Sequence, residues 1–164
     1  MFDFLNKEDF IKARSERHHY FFSGCNLEVF DWNVVVGLFE ENYKRRGVIR
    51  DPRQFNYFGF NLFECKSIPI VKQFEEALVN ISPNNEISSH LYTSFTSASE
   101  TLGFHKDDVD VIFWQVGGST QFTVIDDFKD YTYNLMPNDI LYIPKGMTHC
   151  TKTLSPRYGV SFGF

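Results

Sequence analysis

The sequence has few cysteines, few prolines and glycines, and no long apolar run. Cys25, Cys65 and Cys150 stand far apart and form no CxxC pair. That spacing argues against a thiolate zinc site and fits free thiols in a reducing compartment. With 10 Gly and 6 Pro in 164 residues, collagen-like or Pro/Gly-rich material is excluded. No stretch approaches the roughly 20 apolar residues needed to span a bilayer. MFDFLNKEDF lacks the basic-then-apolar order of a signal peptide. Positive charge is in deficit, with 16 Lys+Arg against 21 Asp+Glu and a net charge of −5. Nucleic acid is therefore an unexpected partner. These features predict a cytoplasmic protein that does not engage a membrane. There is no G-x-S-x-G nucleophile turn, glycine-rich phosphate loop or dinucleotide fingerprint.

What the sequence has in abundance is aromatic side chains: 19 Phe, 8 Tyr and 2 Trp, 18% of the chain. Such a chain is not intrinsically disordered. Its length suits a single domain, 1–164. Asn6 is a candidate cap for a short helix reaching Arg17, with Asp9 three positions on. HHYFFSGC (18–25) reads as a strand. Asp31 caps a second helix with Trp32, Val35, Val36, Phe39 and Tyr43 as its apolar stripe, ended by Gly47 after Lys44-Arg45-Arg46. FNYFGFNLFEC (55–65) suits a strand. Pro69 opens a third helix from about Ile70 to Val79, burying Val71, Phe74, Leu78 and Val79.

From Ser88 onward the pattern changes. HLYTSF, FHKDDVDVIFWQV, TQFTVI, YTYNL, DILYIP and RYGVSFGF are short strand-like runs. Gly117-Gly118 (a hairpin candidate), Asp126-Asp127, Pro137-Asn138-Asp139 and Pro144-Lys145-Gly146 separate them. Asp126, Asp127 and Asp130 read as a solvated turn. Many short strands with tight turns predict a mostly β fold, a sandwich or barrel with N-terminal helices.

The chemistry lies in the histidines, of which there are five. His105-Lys106-Asp107 places two ligand-type side chains at i and i+2, the same face of a strand. His149 follows 42 positions beyond Asp107. Two His and one carboxylate can form the facial triad that suits non-heme Fe(II). Taken alone, the three are equally compatible with ordinary polar strand or turn positions.

The stretch GFHKDDVDVIFWQVGGSTQFTVI, followed by LMPNDILYIPKGMTHCT, resembles the metal-binding core of the JmjC or cupin-like Fe(II)/2-oxoglutarate oxygenases. H-x-D, the Gln115-x-x-Gly118 spacing, the Pro137–Gly146 run and a final His carry the resemblance. It covers 89–164 well and 1–88, a helical and strand elaboration, loosely. It implies a double-stranded β-helix, a cupin-like jelly roll of about eight strands. It implies Fe(II) on His105, Asp107 and His149, with 2-oxoglutarate as cosubstrate and O2 consumed in hydroxylating a C–H bond.

In many JmjC-type relatives, a Lys or Arg on the strand after the metal strand pairs with the distal carboxylate of 2-oxoglutarate. Here that position is Thr120, which carries no charge. Related oxygenases place an Arg on the late strand, which points to Arg157, with Lys152 as the second candidate. Tyr92 and Thr101 are candidates to touch the same carboxylate, and Gln115 to line the pocket. Trp114 falls in the opposite phase to His105. Three functions stay open. The first is a 2-oxoglutarate-dependent oxygenase acting on a protein or peptide side chain or a small molecule. The second is a cupin-type metal enzyme acting on a small molecule without 2-oxoglutarate. The third is a non-catalytic ligand-binding cupin. The chain ends directly after its last strand-like run, so no C-terminal dimerisation domain is expected; oligomeric state is open.

Overall fold

The computed structural model describes residues 2–46, 52–63 and 65–164. Gly47, the expected stop of the second helix, lies outside the described residues, and so do the side chains of Tyr43 and Lys44–Arg46. The element order is α1 (Glu8–Ser15), β1 (Tyr20–Phe22), α2 (Trp32–Arg46), β2 (Pro52–Phe55), β3 (Gly59–Phe63), α3 (Pro69–Ile81), β4 (Ser88–Ser94), β5 (Val111–Gly117), β6 (Thr120–Asp126), β7 (Lys129–Leu135), β8 (Ile140–Ile143), β9 (Thr148–Thr153) and β10 (Arg157–Gly163).

Two antiparallel sheets carry the fold. The larger runs β1-β8-β5-β10-β4-β3-β2, and the smaller β7-β6-β9. The smaller gains a fourth member where His105 bridges His149. From β4 onward the chain passes back and forth between the sheets, with the β6-β7 hairpin as the one successive pair kept in the smaller sheet. This is the double-stranded β-helix order, so the expected jelly roll is the fold observed. Gly117-Gly118 is a turn but not a paired hairpin: β5 and β6 lie in different sheets, and the turn carries the chain across. Gly118 has φ +70, and a Cβ there would sit 2.0 Å from the Pro156 carbonyl. Only glycine fits.

Strand alternation sorts the aromatic excess into two cores. Ile112, Trp114, Val116, Val160 and Phe162 point out of the barrel and pack with Phe4, Phe10, Val35, Val71, Phe74 and Leu78 of the N-terminal helical layer. Phe113, Phe122, Val124, Leu135, Leu141 and Ile143 fill part of the space between the sheets. Trp114 is thus wall rather than pocket, and its indole N–H reaches Asn138 Oδ1 at 3.3 Å.

The helices follow their sequence signals with instructive exceptions. Asp31 caps α2 through Asn33 N–H at 2.9 Å and Val34 N–H at 3.3 Å. Val35 and Leu38 are buried whereas Val36 is exposed. Pro69 opens α3, which buries Ile70, Val71, Phe74, Glu75 and Leu78. Val79 faces solvent, because α3 turns its Val71–Phe74–Leu78 edge to the sheet. Asn6 does not cap α1. It ends a preceding 3-10 turn (Asp3–Asn6), and α1 starts from Lys7 without a side-chain cap.

Candidate metal centre

His105, Asp107 and His149 converge although they come from different segments. Their ligand atoms all lie within 4.8 Å of one another. Asp107 Oδ2 is 3.4 Å from His149 Nε2, and Asp107 Oδ1 is 4.0 Å from His105 Nε2. His105 and Asp107 do not share a regular strand. His105 pairs through one bridge only, exchanging both backbone hydrogen bonds with His149 at 2.9 and 3.0 Å. The chain then bends away, and the Asp107 carbonyl accepts from Gly146 N–H at 2.9 Å. This reciprocal bridge sets the two rings 4.3 Å apart, centroid to centroid.

Both rings are oriented from behind. His105 Nδ1 donates to the Gly103 carbonyl at 2.8 Å, and His149 Nδ1 to the Met147 carbonyl at 3.1 Å. A ring that spends its proton on a carbonyl through Nδ1 offers its Nε2 lone pair, the outer-shell pattern of metal-binding histidines. Burial holds His149 below the usual histidine range, and His105 adds to the depression, while Met147 and Asp107 oppose it. A neutral ring is the ligand form. Two imidazole nitrogens and one carboxylate oxygen, with His105 and Asp107 still partly open to a cavity, fit a facial site for a divalent transition-metal ion.

That cavity has a volume of about 450 Å³. His105, Asp107 and His149 line it together with Lys106 and Val109, which are exposed. Phe113 and Phe122 form walls. Strand β9 presents His149, Thr151 and Thr153 to the interior in succession, so the strand that carries the distal His also leads away from it into the barrel. At the far end stands Arg157, on the inward face of β10 opposite Ser94 of β4.

Arg157 is 4% exposed, and its Nε has no hydrogen-bond partner. Among the described residues no carboxylate lies within ion-pair distance of it. Burial pushes its guanidinium down to about 10, with only Tyr92 opposing. A buried cation without a counter-charge is costly. This one lines a cavity that could admit an anion.

The other sequence candidates divide cleanly. Tyr92 and Thr101 line the cavity, and Thr101 Oγ1 donates to the Thr151 carbonyl at 2.7 Å. Thr120 is buried with an unpartnered hydroxyl, but it does not line the cavity. Lys152 is exposed on the outward face of β9, between the inward Thr151 and Thr153, so strand parity removes it. Gln115 is buried, but its amide donates to the Gly117 carbonyl at 2.7 Å and does not line the cavity. Sequence reasoning missed Asn61. It lines the cavity from β3 with an unpartnered Oδ1, and no motif marks it.

Asp126 also departs from expectation. It is buried, not solvated, and accepts from His18 and His19. Burial raises its carboxyl, but the His19 and His18 hydrogen bonds outweigh that and leave it below the usual range.

No family model matches the sequence, and no curated protein matches it. Solved structures do. The structure of YcfD, a ribosomal oxygenase from Escherichia coli, in complex with cobalt and succinic acid superposes with a TM-score of 0.63 at 19% identity, over 95% of this chain and 50% of that one. Two further structures of YcfD from E. coli give 0.65, at 19% and 18% identity, over 95% of this chain and 50% and 52% of theirs. This chain therefore spans about half the length of YcfD. At such identity the likeness establishes a common fold, the double-stranded β-helix.

Proposed function

We propose that the protein is an Fe(II)- and 2-oxoglutarate-dependent oxygenase that hydroxylates a C–H bond, with a protein or peptide side chain as substrate. The observation that carries this reading is Arg157: a buried guanidinium with no carboxylate partner among the described residues, in the same cavity as a His-Asp-His donor set. A dicarboxylate with one end at the metal and the other at Arg157 satisfies both. This favours 2-oxoglutarate over a cupin enzyme without it, and over a metal-free binding module, neither of which needs a buried cation there.

His105, Asp107 and His149 would hold the ion through Nε2, a carboxylate oxygen and Nε2. Bound Fe(II) supplies coupled oxidation, in which 2-oxoglutarate, O2 and R–H become succinate, CO2 and R–OH. The chain contributes position and dryness. Arg157 takes the distal carboxylate by charge-assisted hydrogen bonds, and Tyr92 stands near enough to Arg157 to share that anion. Phe113, Phe122 and Ile143 exclude water along the shaft. The carbonyls of Gly103 and Met147 hold both imidazoles in the ligand tautomer. The open end of the cavity, with Val109 and Lys106, admits the C–H to be hydroxylated. The YcfD structures support the substrate class by fold alone.

The test is anaerobic addition of Fe(II) and then 2-oxoglutarate. A weak visible charge-transfer band is expected, followed by succinate release on admitting O2. A protein that binds Fe(II) with neither band nor succinate is not a 2-oxoglutarate oxygenase.

A further inference from the structure

A second convergent donor set lies where residues 18–19, ahead of β1, meet the turn between β6 and β7. His18 Nδ1 and His19 Nδ1 are directed at one atom, Asp126 Oδ2, at 3.0 and 2.8 Å. Asp127 brings another carboxylate, and ligand atoms of His18, Asp126 and Asp127 lie within 4.8 Å of one another. The arrangement is built rather than incidental. Adjacent side chains of an extended segment ordinarily diverge to opposite faces, yet here both imidazoles turn to the same oxygen. Asp127 and Phe128 both have positive φ, 49 and 64, the tight two-residue turn that fixes where Asp127 sits. The His19 ring lies against Tyr131 and Tyr133, with centroids at 4.6 and 5.5 Å, and its Nε2 is 2.7 Å from the Tyr133 hydroxyl oxygen.

We propose that His18, His19, Asp126 and Asp127 form a second divalent-metal site, suited to a borderline transition ion such as Zn(II). Donors around an ion at about 2.0–2.2 Å stand roughly 3 Å from each other, as each imidazole Nδ1 already does from Asp126 Oδ2. His19, which is not among the three residues whose ligand atoms all lie within 4.8 Å, has to shift toward His18 and Asp127 to complete the shell. Nitrogen and carboxylate donors select zinc, nickel or cobalt over calcium or magnesium. Ligation requires each ring to carry its single proton on Nε2, freeing Nδ1. For His19 that proton is then donated to the Tyr133 hydroxyl, the outer-shell partner already in place. Asp126 changes from hydrogen-bond acceptor to ligand. The half-exposed His18 and the exposed Asp127 leave the ion exchangeable with solvent. The ion would join an edge of the large sheet, through β1, to the small sheet. This site shares no residue with the His105 centre and does not rest on the oxygenase reading.

The experiment uses the full chain with His105→Ala and Asp107→Ala, so that one ligand of the first cluster remains. Titration with ZnCl2 should show one Zn(II) per chain, with Kd of about 10 μM or tighter. Adding His18→Ala should weaken binding at least about tenfold. Side-chain ¹H–¹⁵N spectra should show Zn(II) on Nδ1 of His18 and His19. No binding below about 100 μM, equal affinity after His18→Ala, or unshifted Nδ1 resonances would each overturn the site. Because His18 is half-exposed, its loss at pH of about 8.5, where its charge attraction to Asp126 is gone, should leave the chelated protein's melting temperature nearly unchanged, separating lost ligation from lost folding.

Discussion

Replacing Arg157 by methionine should stabilise the ligand-free protein and abolish its response to 2-oxoglutarate. The guanidinium is buried, and burial lowers it from the ordinary arginine range to about 10. At 1.36 kcal/mol per pKa unit, the folded state carries a penalty of about 3 kcal/mol for keeping that charge. The sign follows from linkage. A base depressed by folding costs stability wherever it is protonated in both states. The cost is full below pH of about 10 and fades only as pH climbs toward the unfolded value. Methionine is unbranched, of similar length and uncharged, so it removes the penalty without a large cavity. Allowing for lost packing, a net gain of about 1–3 kcal/mol is expected, which for a chain of this size raises the melting temperature by about 2–4 °C per kcal/mol. Urea denaturation in chelator measures it. In a second arm, Mn(II) plus 2-oxoglutarate at 100 times Kd should stabilise the parent chain by about 2.7 kcal/mol and the variant by far less. A variant destabilised by more than about 1 kcal/mol would mean that the guanidinium has a compensating partner. An undiminished 2-oxoglutarate shift would remove it from the cosubstrate site.

Three further outcomes follow from other parts of the molecule. Phe74→Ala, which empties the junction between α3 and the outer face of the large sheet, where Phe74 meets Phe162 at 4.4 Å, should cost about 3–5 kcal/mol in chemical denaturation; a loss below about 1 kcal/mol would mean the helical layer is not fastened there. Gly118→Ala should cost more than about 2 kcal/mol because its Cβ meets the Pro156 carbonyl and its φ is positive. A neutral Gly118→Ala would show that this turn relaxes freely. In chelated protein, His18 is raised by its hydrogen bond and charge attraction to Asp126, with Asp127 and Glu16 adding, and Asp126 is lowered despite burial. The His18 contribution is present below its unfolded value and lost as pH rises through its raised folded one; the Asp126 contribution is present above its unfolded value and lost as pH falls through its lowered one. Asp126→Asn should therefore lower the melting temperature more at pH of about 5.5 than at about 8.5, and equal losses would deny the coupling.

Particular residues show what was legible. α3 could be read nearly to its ends, since Pro69 marks the start and Val71, Phe74 and Leu78 repeat at helical spacing. Asp31 announced α2 because capping is a local interaction. β9 was not among the strand-like runs: THCTKT has no large apolar side chain, and its extended form depends on pairing with β6. His105-Lys106-Asp107 suggested a strand by its spacing, whereas only His105 is bridged. Asp126-Asp127 looked like any acidic turn, because nothing local reveals that His18 and His19, more than a hundred positions earlier, fold against it.

The amino-acid order alone determined the ingredients: an aromatic-rich β half, turns fixed by Gly118 and Asp127-Phe128, one helix capped by Asp31 and another opened by Pro69, and a small stock of histidines and buried-type polar residues. Those properties depend on neighbours within a few positions, where backbone sterics, capping and side-chain periodicity act. Tertiary structure decided which candidates share a space. Antiparallel pairing brought His149 against His105, and strand parity turned Arg157 inward and Lys152 outward. A one-residue shift in β9 or β10 would reverse that choice while leaving composition and local propensity almost untouched.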